Sequence, residues 1–491
     1  MNYTLMEHKW NQWNWQFILL FLLIAWTLLY QLDLQPMYLW DESRQANNAL
    51  EMFESGNFAY PTYNGEPDFW NTKPHLLIAI QAVFFKILGP GLLALRLPSA
   101  LAGIATVWLL FVFLKKYFST QTGFLFVFII LTCGGFNTYH ITRTGDYDAL
   151  LLLFFALCIT TFYKVIFIDN RKQKIAAFFI YLSLAILTKS LAAILWIPGF
   201  VMVYFVFYKE RKTTILELIK YAWIPFIVVF GYYGYREWIT PGYLQAVWDN
   251  EIAVRYFAPN EGHVSEWYYY LDVIVSQYFQ WFWIGIPFVL LGMVFLPFQN
   301  KNKWFYFASF TLVFGILLSI SKTRINWYLA PGVICLAMIL AMGIGEILDK
   351  SMSIKRGKIF SIIVYTSIIF AGVVNWDKNW NTMEQWIDVD PQVVFKNTER
   401  TGKIKYTGIW LLGTYNPFEL YYSKVLKKKN IQLRMTNTYK FGLGDTVIIS
   451  HFDHIDSINL RQKTTQIHAP DKEFPVWVFR VDSLFGSNYR N

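Results

Sequence analysis

Eleven apolar runs, most of them long enough to cross a lipid bilayer, constrain this chain more than any other feature. They fall at 16–32, 93–114, 124–141, 149–168, 175–188, 191–208, 219–236, 274–297, 304–320, 327–347 and 359–375. A spanning helix needs about 20 mostly apolar residues. In hydrocarbon, backbone polar groups must be satisfied internally, which favours helices. The sequence therefore predicts an α-helical polytopic membrane protein of about 11 spans. Charge is scarce to match: Asp, Glu, Lys and Arg make up 15% of 491 residues, against about a quarter in soluble domains. That excludes a soluble enzyme, a disordered chain and a fibrous repeat.

Two of the runs, 175–188 and 191–208, are short and form a hairpin around Thr188-Lys189-Ser190. The run 75–88 is shorter still, is interrupted by Lys86 and is closed by Gly89-Pro90-Gly91. It reads as an interfacial amphipathic helix outside the membrane. Charge density changes near residue 375: the last 116 positions carry 28 charged side chains and the first 375 carry 48. The expected organisation is a membrane domain over 1–375 and a soluble domain over 376–491. In that tail, strand-like runs at 407–412, 431–435, 446–450 and 476–481 alternate with helix-like segments at 384–395 and 417–425. A small α/β domain follows. Its Lys427-Lys428-Lys429 run is either a solvated helix end or a lipid-headgroup or acceptor contact.

Loop charge sets the orientation. Connections 115–116, 164–174, 209–220, 301–303 and 346–358 hold 16 Lys/Arg and 5 Asp/Glu. The alternate set, 33–96, 143–148, 189, 236–272 and 322–324, holds 10 Lys/Arg and 15 Asp/Glu. Basic loops stay cytoplasmic. The N-terminus is then inside and the tail outside, at the cell inner membrane. The polar, aromatic start Met1–Trp15 has no cleavage-site pattern and reads as retained. The net charge of +10 is this orientation signal, with no basic stripe to bind nucleic acid. Cys133, Cys158 and Cys335 lie in apolar runs and form no metal or disulfide pattern.

Unusual polar groups collect on the outer side. They are Asp41, Glu42 and Arg44; Lys73; Arg143, Asp146 and Asp148; Lys189; His263 and Tyr268; and Arg324 and Tyr328. Ionisable groups at a membrane boundary mark functional sites by default. Lys and Arg suit a phosphate, Asp41 and Asp148 suit a base or a metal ligand, and Tyr and Trp suit sugar faces or headgroups. A lipid-phosphate-linked sugar would need all three. Simpler readings stand beside this one. Arg96 and Arg236 are snorkelling anchors, Trp267 to Tyr270 an interfacial belt, Glu42 a helix N-terminal acid, and Asp146 a helix cap. His263 lacks a clear second metal ligand.

Several motifs are familiar in combination. They are Trp40-Asp41-Glu42-Ser43-Arg44, Phe58-x-x-Pro61, Asn64-Gly65-x-Pro67, Lys73-Pro74, Arg96 to Ala100, Arg143 to Asp148 and Leu187-Thr188-Lys189, then His263 to Tyr270 and Lys322 to Pro331. Over residues 15–345 this ordered set resembles the GT-C superfamily of membrane glycosyltransferases, in the branch of lipid A aminoarabinose transferases and protein O-mannosyltransferases. The tail resembles no named family.

The resemblance implies inverting sugar transfer from a polyprenyl phosphate to a lipid, glycan or protein acceptor, as in lipid A modification or protein mannosylation. It implies Asp41 as the catalytic aspartate, with Arg44, Lys73, Asp148, Lys189 and Arg324 at the donor phosphate. Glu42, Arg143, Asp146, His263, Tyr268 and Tyr328 would contact substrate. No cofactor is certain. A divalent metal is an open option, with Asp146, Asp148 and His263 as candidate ligands. One departure is Thr72, which stands where aminoarabinose transferases commonly carry an acid before the Lys-Pro pair. A lipid-linked-sugar transporter or flippase is the alternative. It is less consistent with acids in outer loops and with the lack of an internal repeat.

Overall fold

The computed structural model describes residues 15–38, 41–168, 172–257, 265–280, 301–321, 324–352 and 357–384. In the tail it describes 409–411, 417–428, 433–435, 443–444, 446–449, 462–468 and 477–484. The architecture is mostly helical. Among the described residues, six helices are long and apolar enough to cross a membrane: Leu92–Tyr117, Asp148–Phe167, Lys172–Ile194, Ile215–Ile239, Asn302–Ile320 and Asn326–Lys350. Shorter apolar helices cover Trp15–Leu29 (α1), Leu76–Leu88, Thr120–Thr132 and Ile197–Val206. The 274–297 run lies largely outside the described residues, as do most of 384–395 and all of His263.

Of three sequence expectations, two change. The run 124–141 is not one helix. The helix Thr120–Thr132 begins at an Ser119 cap and ends before Cys133, and residues 133–147 form a buried, irregular segment. Gly134-Gly135 breaks the helix-forming pattern. At Gly135 the lack of a side chain is needed, since a Cβ would meet Tyr278 at 2.5 Å. Second, the expected hairpin at Lys189 holds: the helical backbone breaks at Lys189 (φ −146°, ψ 48°) and Ser190 (φ 24°, ψ −104°), and the chain turns back so that Phe178 before the break and Phe200 after it both pack on Phe162, their own rings 4.9 Å apart. Third, Arg96 and Arg236 are not surface anchors, because both are fully buried.

Helix α2, Asp41–Ser55, follows α1 and starts with Asp41 and Glu42, whose charges suit a helix N-terminus. Its Ala46, Ala49, Leu50 and Met52 pack with Leu77, Ile78 and Phe85 of Leu76–Leu88. A two-stranded hairpin, Thr62–Tyr63 (β1) with Glu66–Pro67 (β2), turns at Asn64-Gly65, both with positive φ. The long helices share a larger core, rich in edge-to-face aromatic contacts around Tyr163, Tyr306 and Phe307. The helix Ile215–Ile239 opens with a Thr214–Glu217 capping box. Phe226, Ile227 and Phe230 on it are exposed, the surface expected of a lipid-facing helix.

The tail carries β3 (Ile409–Leu411), β4 (Leu433–Met435), β5 (Thr446–Ile449), β6 (Gln462–His468) and β7 (Trp477–Leu484). They form a mixed sheet in the order β4-β3-β5-β7-β6. The first three strands are parallel and the last two antiparallel. The helix Pro417–Lys427 packs on α2. Phe418, Tyr421, Tyr422 and Leu426 join the α2 cluster, Asn47 donates to the Pro417 carbonyl at 2.6 Å, and Lys424 pairs with Glu51. The tail thus reaches the helix that begins at Asp41.

Candidate active site

The break in Lys172–Ile194 turns Lys189 toward the start of Asp148–Phe167. Its Nζ lies 2.8 and 2.6 Å from the two Asp148 carboxylate oxygens. The segment after the β-hairpin brings Lys73 to within 3.9 Å of Glu251, and Thr72 donates to the same Glu251 oxygen at 3.3 Å. Lys73, Asp148, Lys189, Glu251 and Tyr328 line one end of a cleft of about 810 Å³ that opens to solvent. Leu151, Leu191, Leu195, Phe314, Leu317 and Leu318 line the rest. A buried cation is costly unless paired, and both lysines here are paired with carboxylates. The cleft is thus polar at one end and apolar along the other, a shape that fits a phosphate on a hydrocarbon chain.

Asp41, at the first turn of α2, stands beside this polar end. Its charge acts on Lys189, His140 and Tyr147. His140, in the irregular segment, pairs with Asp146 at 2.9 Å and stacks on Trp327 at 3.8 Å between centroids. Its φ of 60° is unusual for a residue with a side chain. Asp146 also accepts from Gln45 Nε2 at 2.9 Å and Thr144 Oγ1 at 3.0 Å. Burial works against both charged forms, but the mutual charge and hydrogen bond win. They hold Asp146 below and His140 above their ordinary ranges.

The other expected residues take distinct places. Glu42 is fully buried against Arg96, with contacts of 2.7 and 2.9 Å, and accepts from Gly145 N at 2.7 Å and Tyr38 N at 2.6 Å. Arg96 also donates to the carbonyls of Leu32, Gln35 and Pro36. This pair ties α2 to the end of α1 and to the 133–147 segment. Arg143 donates to the carbonyls of Leu28, Tyr30 and Gln31, and so caps the C-terminal end of α1. Arg44 pairs with Asp68 at 2.8 Å and lies 3.5 Å from the Tyr63 ring centroid. Burial would raise the Asp68 pKa, but the hydrogen bonds and charge of Arg44 hold it below the usual range. Arg324 donates to the carbonyls of Ser265 and Ser319. Tyr268 is about half exposed and away from the cleft lining, whereas Tyr328 lies 5.3 Å from Lys189 Nζ.

The fold therefore brings Asp41, Lys73, Asp148, Lys189 and Tyr328 together. Sequence reading missed His140 and Glu251. Glu251 restores an acid beside Lys73 from a distant part of the chain, despite Thr72. Among the metal candidates, Asp148 is engaged by Lys189, and Asp146 belongs to the Asp41–His140 group.

Residues 72–232 match the family model described as dolichyl-phosphate-mannose-protein mannosyltransferase. Two relatives, from Shewanella sediminis and Proteus mirabilis, are named undecaprenyl phosphate-alpha-4-amino-4-deoxy-L-arabinose arabinosyl transferases. They are 24% and 25% identical over 71% and 69% of this chain, and over 63% and 61% of their own lengths. The chain thus spans about three-fifths of the curated relatives it matches. The solved structure of ArnT from Cupriavidus metallidurans bound to undecaprenyl phosphate superposes with a TM-score of 0.67 at 13% identity, covering 95% of this chain and 98% of that one. The chain thus resembles that mannosyltransferase family model over residues 72–232 and the named arabinosyl transferases over 71% and 69% of its length, and it shares its fold with the solved ArnT structure.

Proposed function

We propose that the protein is an inverting glycosyltransferase. It moves a sugar from a polyprenyl-phosphate donor to a lipid, glycan or protein hydroxyl or phosphate at the outer face of the cytoplasmic membrane. The observation that carries this reading is the cleft, with Lys73 and Lys189 at one end and apolar walls along the rest. The names of the relatives support the donor class. Loop charge supports an extracytoplasmic site and tail, with the shorter apolar helices adding to the six long ones as crossings.

In this mechanism the polyprenyl chain lies along Leu195, Phe314 and Leu318, and its phosphate sits at the lysine end. The acceptor oxygen attacks the anomeric carbon from the face opposite the phosphate. A single displacement of this kind inverts the centre. As the sugar–phosphate bond breaks, negative charge grows on the phosphate, and Lys73 and Lys189 stabilise it. Glu251 and Asp148 hold the two ammonium groups in place. Asp41 takes the proton from an acceptor hydroxyl, or orients a phosphate acceptor that needs no base. Arg44, fixed by Asp68 and flanked by Tyr63 and Trp70, shapes the approach to α2.

The test is transfer by membranes containing the full chain, given a labelled polyprenyl-phosphate sugar. Covalent labelling of an acceptor that disappears with Asp41→Asn supports the transferase. Translocation of the labelled lipid with no covalent product would establish the flippase reading instead.

A further inference from the structure

We infer that Tyr232, Tyr233, Arg236 and Tyr243 form a positioning cluster that sets the spacing between Lys73 and Lys189. The inference rests on the transferase reading, in which the two ammonium groups hold the donor phosphate. None of the four lines the cleft among the described residues. Each acts through a residue close to one of the lysines.

The local chain explains why Lys73 needs holding from outside. Pro74 restricts the Lys73 backbone to extended conformations and has no N–H to donate. Residues 69–75 belong to no helix or strand, so their polar groups must find partners elsewhere. Asn250 Nδ2 donates to the Phe69 carbonyl at 2.8 Å, and Tyr243 Oη donates to the Thr72 carbonyl at 2.8 Å. The Tyr232 hydroxyl donates to His75 Nδ1 at 3.0 Å. Lys73 thus sits between two residues that tyrosine hydroxyls hold. Its own ammonium lies 3.9 Å from Glu251 and 5.7 Å from the Tyr147 ring centroid. Both are longer than a hydrogen bond, so the ion pair alone does not fix its place.

The same cluster reaches the second lysine. Among the described residues of the helix Ile215–Ile239, Arg236 alone is buried. Tyr232 and Arg236 are four apart and share a face, with Arg236 Nη1 3.5 Å from Tyr232 Oη. Tyr233 lies one step round the helix. Its phenol interacts with the Ser190 side chain, next to Lys189 at the helix break. Tyr233 stacks with Tyr243 at 5.9 Å between centroids, and Arg236 Cζ lies 4.2 Å from the Tyr243 ring centroid. The four side chains are one packed body that touches both lysine-bearing segments.

Arg236 shows that this body does more than fill space. It is fully buried and makes no ion pair among the described residues, where its Nε and Nη2 also lack hydrogen-bond acceptors. A buried guanidinium without a counter-charge is costly, and an apolar side chain would pack at less expense. In return, its charge lies against the Tyr243 ring. Its Nη1 also takes up the Tyr232 oxygen as an acceptor, which directs the Tyr232 proton to His75. The arginine thereby orients both hydroxyls that hold the Lys73 segment.

The experiment uses the full chain purified in detergent, with undecaprenyl phosphate as the probe. Affinity and melting temperature are read separately. Tyr243→Phe and Tyr232→Phe each delete one hydroxyl and keep the ring. Each should weaken binding about fivefold, the worth of one neutral hydrogen bond. Lys73→Ala should weaken it about thirtyfold, the worth of a charge-assisted one. Either tyrosine change added to Lys73→Ala should weaken binding no further, because nothing is left to position. Tyr306→Phe loses a comparable bond, to the Ile159 carbonyl outside the cleft lining; it should melt lower and bind like the wild type. Unchanged affinity in both tyrosine variants overturns the cluster while a weakened Lys73→Ala keeps the donor site. Full additivity with Lys73→Ala overturns it too, since a merely structural loss would add. Unchanged affinity in Lys73→Ala removes the donor-site reading itself, and the positioning role with it.

Discussion

Lys189 reaches Asp148 through two contacts of 2.8 and 2.6 Å, joining a broken helix to the first residue of its neighbour. Both side chains are less than a tenth exposed. Removing one partner leaves the other buried and uncompensated, so Lys189→Ala should cost about 3–5 kcal/mol of stability and abolish donor use. Replacing both with apolar residues of similar size should restore thermal stability and leave transfer absent. Thermal unfolding and labelled-donor turnover in the single and double variants check this. Recovery of transfer in the double variant would remove Lys189 from the phosphate.

Asp41 is expected to separate function from folding. It makes no ion pair among the described residues, and Asp41→Asn keeps its size. Transfer should fall at least about a hundredfold, with expression and elution profile unchanged. Near-normal turnover would exclude a base role.

Glu42 should behave in the opposite way. Its carboxylate binds Arg96 and two backbone N–H groups. Glu42→Gln leaves a buried guanidinium without its counter-charge and should destabilise the chain by about 3–5 kcal/mol. The expected readout is a lower melting temperature and less membrane-inserted protein. A fully stable variant with weakened donor binding would instead return Glu42 to substrate contact.

His75 introduces a pH dependence. Nε2 donates to the Phe58 carbonyl, so Nδ1 of the neutral ring accepts from the Tyr232 hydroxyl. Burial first, then the charge of Arg236, lowers its pKa to about 4. The unfolded chain takes up this proton near pH 6.5, while the folded chain does not until about pH 4. Stability is therefore full above pH 6.5 and declines as pH falls from there toward 4. In His75→Gln this part of the decline should be missing, as melting temperatures at pH 7 and pH 5 would reveal.

Glu51 carries a second dependence with the same sense. Burial would raise its pKa, but Lys424 and the Asn64 and Gly65 N–H groups hold it below the ordinary value. Its contribution is present above the unfolded carboxyl range and is lost as pH falls through the folded value. Lys424→Ala should loosen the tail helix Pro417–Lys427 from α2 and speed proteolysis within the tail. Unchanged cleavage would mean that Phe418, Tyr421 and Tyr422 hold the helix without the ion pair.

The polar residues of the cleft were largely legible in the sequence. Asp41, Lys73, Asp148 and Lys189 stand out because each interrupts or borders an apolar run where charge is expensive. His140 was hidden because 124–141 has the composition of a span. Only Gly134-Gly135 signals that the helix ends early. Glu251 is one acid among several in a long connection, and no spacing ties it to Lys73 across nearly 180 positions. Arg96 has the sequence appearance of an anchor at a helix end. Its burial follows from Glu42 and three carbonyls converging on it, which local pattern does not encode. The tail strands showed through their β-branched and apolar residues, but Gln462–His468 is mostly polar and draws its place from pairing with Trp477–Leu484.

The break at Lys189 and Ser190 is irregular backbone at the tip of an apolar helical hairpin. Hydrocarbon does not tolerate exposed irregular backbone; protein or water must cover it. The irregularity therefore marks how far a wet hollow sinks between the helices. A lipid-borne reactant could bring its charged end into that hollow from the side while its tail never leaves oil.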